Sequence, residues 1–223
     1  MKDGIILIDK PKGDSSAKVL ARVKHKLGVR KIGHAGTLDP MATGLLVCLV
    51  NGATKMADKV QSGKKTYTGV IKFGIITDSD DITGNVISKF DDLVDLSKLP
   101  EIMKSFRGEI TQLPPKISAL KVGGVRAYKL ARSGEAFELK PRTATIDLFE
   151  VEKITDDEIR FKVICSKGTY VRALARDIGE ALGCGGCLKE LRREASEPFD
   201  VKNAKLVEAL SENDILSVES VSL

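Results

Sequence analysis

The residues of this chain best able to do chemistry crowd into one short stretch, Gly33-His34-Ala35-Gly36-Thr37-Leu38-Asp39-Pro40-Met41-Ala42-Thr43-Gly44. A carboxylate, an imidazole and two threonine hydroxyls lie among three glycines, and Pro40 directly follows Asp39. Proline restricts the residue before it to extended conformations, and glycine opens backbone angles closed to other residues, so the stretch reads as a loop. It delivers Asp39 to the start of the apolar run Leu45-Leu46-Val47-Cys48-Leu49-Val50, which reads as a short buried strand. A carboxylate at such a place can attack an anomeric carbon, as in retaining glycosidases. A lone Asp-Pro pair commonly does no more than shape a turn. Four polar groups set among glycines that admit a ligand argue for more.

The elements before the loop explain how it is held. Gly4 to Asp9 reads as a strand ended by the turn Lys10-Pro11-Lys12-Gly13. Ser15 or Ser16 then caps a helix to about Leu27, with Val19, Leu20, Val23 and Leu27 inward and Gly28 as the stop. Its other face is basic: from Lys10 to Lys31 the chain carries Lys10, Lys12, Lys18, Arg22, Lys24, Lys26, Arg30 and Lys31 against Asp14. Formal net charge is only +5, from 36 Lys and Arg against 31 Asp and Glu, so this local block matters more than the total. A polyanion gripped there would be delivered to Asp39.

Beyond the loop, Ala53 to Ser62 reads as a short helix and Lys64 to about Ile76 as one long strand with Tyr67 near its start. Asp78-Ser79-Asp80-Asp81-Ile82-Thr83-Gly84 is a turn. Its sixth and twelfth positions are Thr83 and Lys89, where an EF-hand requires Gly and Glu. This acidic stretch has no basic neighbours in sequence, which argues against a metal-dependent nuclease. A helix is expected from about Pro100 to Phe106. Leu113 to Tyr128, with two prolines and two glycines, reads as a hairpin-like excursion carrying Lys116, Lys121 and Arg126, completed by a short helix with Tyr128, Lys129 and Arg132. Basic and aromatic residues interleaved in this way suit an RNA stem-loop.

Thr143 to Lys153 and Ile159 to Cys165 read as an antiparallel pair. Tyr170 and Arg172 then open a helix whose inward face is Val171, Leu174, Ala175, Ile178 and Leu182. An arginine is poorly placed at the positive end of a helix, which calls for a carboxylate opposite, and Asp39 is the expected partner. Leu188 to Arg193 is a further strand, and the acidic tail after Lys205 amounts to one short helix.

Asp9-Lys10-Pro11, Gly33 to Gly44, Lys65-Thr66-Tyr67, Leu113 to Arg132, Gly168 to Arg172 and Leu191-Arg192-Arg193 together resemble, in order, the motifs of the stand-alone bacterial tRNA pseudouridine synthases that modify uridine 55, the TruB family. The resemblance covers nearly the whole chain. It implies an α+β, pseudouridine synthase-like fold: a large mixed, mainly antiparallel sheet flanked by helices. It implies a single catalytic domain over residues 1–223 with a thumb-like RNA-binding insertion at about 113–142; many members carry a further C-terminal, PUA-like RNA-binding domain, and this chain is expected to depart from them in lacking it. Asp39, Tyr67 and Arg172 are then the expected catalytic set. Asp39 assists glycosidic cleavage, Arg172 holds it ionised, and Tyr67 stacks on the target base. Lys10, His34, Tyr170, Leu191, Lys121, Arg126, Tyr128 and Arg132 are the expected substrate-binding residues. His34 would wedge into the space left by an extruded base. The implied substrate is the T-arm of tRNA; no cofactor, metal, membrane or obligate protein partner is expected, and a cytoplasmic location is the default expectation.

The totals fit this reading. The chain is long enough to bury a core without disulfides. No apolar run approaches the roughly 18 residues of a membrane-spanning helix. The cysteines 48, 165, 184 and 187 read as reduced structural thiols, because Cys184-Gly-Gly-Cys187 lacks a second pair to complete a zinc site. The competing class is a non-catalytic tRNA-binding chaperone, which would need the basic block and thumb but not Asp39, Tyr67 and Arg172.

Overall fold

The computed structural model describes residues 2–90 and 94–221, and the chain divides into two compact units, Met1–Thr68 with Leu191–Leu223, and Gly69–Glu190. Two strands, β4 (Lys65–Phe73) and β12 (Gly186–Ser196), contribute residues to both.

In the first unit, β1 (Gly4–Lys10) pairs antiparallel with β3 (Thr43–Val50), from Gly4 opposite Val50 to Lys10 opposite Gly44. The expected buried strand is therefore present, and Leu45 to Val50 are all fully buried. The C-terminal part of β12 lies parallel to β3, with Arg192 opposite Thr43. Helix α1 (Ser16–Leu27) starts where the sequence places it. Ser15 caps it by accepting from Lys18 N–H, Gly28 ends it at φ 61°, and Val19 and Val23 are buried. The short β2 (Ile32–His34) pairs with the far end of β3.

The Gly33–Gly44 loop is thus shorter at both ends than the sequence suggests. Gly33 and His34 belong to β2, and Thr43 and Gly44 to β3. Gly44 can sit in a strand because its φ of +94°, and the Arg193 carbonyl oxygen standing where a Cβ would go, exclude every other residue. The tail is a series of single-turn 3-10 segments rather than one helix. Its Lys205 and Leu216 make isolated bridges to Ile8 and Ile5, covering the free edge of β1.

In the second unit, β10 (Arg142–Lys153) pairs antiparallel with β11 (Glu158–Cys165) on one side and β7 (Gly108–Gln112) on the other. The strand expected to run to Ile76 breaks at Gly74 (φ +82°), and β5 (Ile75–Thr77) leaves to pair with β6 (Val86–Lys89). The excursion after Leu113 forms a small hairpin of β8 (Lys121–Val122) and β9 (Val125–Arg126) turning at Gly123 and Gly124. A short helix, Ala127–Ser133, follows it. A second helix, Val171–Ala181, buries Val171, Leu174, Ala175 and Ile178 as expected. Among the described pairings, most are antiparallel and that of β12 with β3 is parallel, so the sheet is mixed but mainly antiparallel. The sequence reading of an α+β chain with such a sheet holds.

Candidate functional site

Asp39 lies on the connection between β2 and β3, half-buried, with both neighbouring residues fixed to the rest of its unit. On one side, Leu38 is held by a single hydroxyl: Ser16 Oγ donates to Leu38 O and accepts from Leu38 N, both at 2.9 Å. On the other, Pro40 O accepts from Gly13 N–H at 2.8 Å and from Lys10 Nζ at 3.3 Å. Asp39 O itself accepts from Ala42 N–H at 3.1 Å, closing the turn.

Lys10 is the most unusual of these supports. Its sequence alone leaves open a surface lysine, yet it is 0% exposed. Its ammonium donates to Asp14 O at 2.7 Å and Pro11 O at 2.8 Å besides Pro40 O. Burial lowers its pKa to about 8, opposed by the carboxylates of Asp14 and then Asp39, with Arg193 adding to the fall. Lys10 therefore acts from beneath the loop.

Arg193, 1% exposed, is a support that sequence reasoning misses. Its Nε donates to Leu45 O at 2.7 Å and a terminal nitrogen to Gly36 O at 3.1 Å, so it ties together the two ends of the loop. Alternation along β12 is the available signal. Arg192 points the opposite way and makes a bidentate pair with Asp9, both at 2.9 Å. Ser16 is missed for a similar reason, since its sequence position suggests only a helix cap, a part taken by Ser15.

His34 is half-exposed, and its Nδ1 is buried with no hydrogen-bond partner among the described residues. Burial, then Arg193, lowers its pKa, which favours the neutral ring. Leu191 is buried on β12, its carbonyl accepting from Thr43 Oγ1 at 3.4 Å. Tyr67 is half-buried on β4, two residues from the buried Lys65.

In the second unit, Tyr170 stands immediately before the helix and exchanges two hydrogen bonds with the buried Gln112. Its N–H donates to Gln112 Oε1 at 3.1 Å, and its carbonyl accepts from Gln112 Nε2 at 3.3 Å. Arg172 is buried, donating to Ser79 O at 2.7 Å and Ile117 O at 2.9 Å, with Asp81 Oδ2 3.6 Å away. Asp81 is thus one acidic neighbour of this arginine. Arg176, one turn on, pairs with Asp80 at 2.9 Å. The acidic turn at 78–84 thus does have basic neighbours, contrary to the sequence reading. They come from a helix some 90 positions away, 93 for Ser79 to Arg172.

The thumb-like excursion places Lys121 directly across from Arg126, both exposed. Arg132 lies over the Tyr128 ring, 5.9 Å from its centroid. Among the described residues no cluster of three or more His, Cys, Asp or Glu could hold a metal ion. The four cysteines are buried, and among the described residues no helix is long and apolar enough to cross a membrane.

A family model described as the N-terminal domain of TruB family pseudouridylate synthase matches residues 24–171. Another, described as the C-terminal domain of tRNA pseudouridylate synthase B, matches residues 172–218. The tRNA pseudouridine synthase B of Francisella philomiragia is 45% identical over 228 residues, covering 98% of this chain and 76% of that protein. That of Aquifex aeolicus is 46% identical over 220 residues, covering 98% and 75%. Among solved structures, a chain of a Cbf5-Nop10-Gar1 complex superposes with a TM-score of 0.70 at 31% identity, covering 92% of this chain and 54% of that one. A chain of an H/ACA RNP bound to a substrate RNA containing 2'-deoxyuridine gives 0.68 at 29%, covering 93% and 52%. This chain spans about half the length of those two solved chains. The expected pseudouridine synthase-like fold is borne out. The matches over nearly the full length identify the chain as a member of the TruB family of pseudouridylate synthases.

Proposed function

We propose that this protein is a tRNA pseudouridine synthase that isomerises uridine 55 in the T-arm, acting in the cytoplasm without cofactor, metal or obligate protein partner. The observation that carries the reading is the treatment of Asp39. The carboxylate sits on a loop whose neighbouring residues, Leu38 and Pro40, are both pinned by buried side chains, in a chain of the TruB family. Such fixation is what a group that must meet one reacting atom requires.

In this proposal the target uridine leaves its stack at a cost of a few kcal/mol, and His34 fills the vacated space. A neutral imidazole suits that part, since it needs no counter-charge when it enters the stack. Asp39 assists cleavage of the glycosidic bond. The released uracil stays in place, turns, and rejoins the same C1′ through C5, after which the C5 proton is lost. No external acid or co-reactant enters the balance. Tyr67 stacks on the base, and Tyr170 and Leu191 wall it. Arg172 completes the catalytic set with Asp39. Lys121, Arg126, Tyr128 and Arg132 grip the stem-loop.

The test is to incubate the protein with an unmodified tRNA transcript and a second transcript carrying cytidine at position 55, then map pseudouridine along each. Conversion at position 55 of the first alone supports the proposal. Conversion elsewhere, or binding with no conversion, overturns it.

A further inference from the structure

We infer that Ser16 is a positioning residue that sets the aim of the Asp39 carboxylate, an inference that rests on the proposed role of Asp39. Ser16 lies in the first turn of α1 and is 3% exposed, but α1 does not need its hydroxyl. The preceding Ser15, which is exposed, already accepts from Lys18 N–H at 3.2 Å. A hydroxyl has one proton to donate and lone pairs to accept with. Ser16 uses both on one residue, donating to Leu38 O and accepting from Leu38 N–H.

The consequence follows from covalent geometry. The Leu38 carbonyl belongs to the same planar peptide as the Asp39 nitrogen, so fixing that oxygen fixes the direction in which the chain enters Asp39. The Leu38 side chain is itself buried, so this residue cannot swing as a whole. Pro40 O is held on the far side by Gly13 N–H and Lys10 Nζ. Asp39 is thereby suspended between two fixed peptides, and the Ser16 side is the one that hangs on a single atom. Ser16→Ala leaves two buried backbone groups without that partner, in a space lined by helix and loop. The loop regains the freedom to rotate about the dihedrals flanking Asp39.

A misplacement on the order of 1 Å costs about a hundredfold in rate. The experiment compares wild type, Ser16→Ala, Ser16→Thr and Asp39→Asn. It reads single-turnover conversion of a uridine-containing T-arm hairpin, affinity for the same hairpin, and amide hydrogen exchange of residues 36–41. Ser16→Ala is expected to convert roughly ten- to a hundredfold more slowly, to bind with unchanged affinity, and to exchange faster at 36–41 while α1 exchanges as before. Ser16→Thr, which keeps the hydroxyl, is expected to restore both rate and protection. Unchanged exchange at 36–41 in Ser16→Ala overturns the inference whatever the activity, as does a loss of affinity in step with rate, or failure of threonine to rescue. Absence of conversion by wild type, or full conversion by Asp39→Asn, instead overturns the functional reading, and the exchange data still decide whether Ser16 orders the loop.

Discussion

Replacing Lys10 by methionine separates support of the Asp39 loop from stability of the fold. Methionine keeps the buried stem and removes the ammonium. Pro11 O and Asp14 O then lose their 2.8 and 2.7 Å donor, while Pro40 O retains Gly13 N–H. Each carbonyl left without its donor costs about 1–3 kcal/mol. Against this stands the cost of burying the ammonium. A fall in pKa from 10.5 to about 8 means that folding disfavours the charged form by roughly 3 kcal/mol. The two effects oppose each other, so stability near pH 7 should change by no more than about 3 kcal/mol, under about 12 °C in Tm. Conversion of a T-arm hairpin should nevertheless fall at least about tenfold, because the peptide following Asp39 loses a charged clamp.

The pH dependence carries a definite sign. Lys10 holds its proton less tightly when folded, near 8, than when unfolded, near 10.5. Between those values the unfolded chain binds more protons, so this group makes the protein more stable as pH rises from 8 to 10.5. Methionine has no such proton. The Tm of wild type minus that of Lys10→Met should therefore be flat from pH 6 to about 7 and climb above about 8. Paired melts across this range, with single-turnover assays at pH 7, measure both effects. A difference independent of pH, or a variant of normal activity, would refute the assignment of Lys10 as a buried, partly discharged clamp.

Two further outcomes follow from the same geometry. Arg193→Met removes the donor to both Leu45 O and Gly36 O. It should cost about 3–5 kcal/mol, which is a fall in Tm of more than about 6 °C by calorimetry, because both carbonyls are deprived of a charged partner. A melt within about 2 °C of wild type would contradict the brace. In the thumb, Lys121→Ala with Arg126→Ala should weaken hairpin binding and reduce the slope of log affinity against log salt by roughly 1.4, about 0.7 for each phosphate no longer neutralised. An unchanged slope would show that those two cations do not face the RNA.

Much of the fold is legible because its signals are local. The Val19 and Val23 stripe, the Ser15 cap and the Gly28 stop define α1, and the unbroken apolar run to Val50 defines β3. The Lys64–Ile76 strand is misjudged from sequence because a glycine inside a strand pattern leaves open whether the strand bends or ends. Gly74 ends it, through a positive φ. At the site, Asp39 announces itself by its glycines and proline, and the excursion at Leu113 by its basic and aromatic mix. The supports do not. Ser16 with Leu38 and Arg193 with Gly36 are 22 and 157 positions apart. Arg172 and Asp81 likewise meet only once the chain is folded. A buried lysine looks like a surface lysine until its neighbours are known, so Lys10 can be weighed only by its motif.

The measurement that bears most directly on the account is a paired one on wild type and Asp39→Asn: affinity for a T-arm hairpin, and pseudouridine formed in it over a long incubation with excess protein. Asparagine matches the shape of aspartate and lacks only the charge. The account predicts affinities within about threefold of each other, well under about 1 kcal/mol, with complete conversion by wild type and none by the variant. Pseudouridine formed by Asp39→Asn at a rate near that of wild type would contradict it.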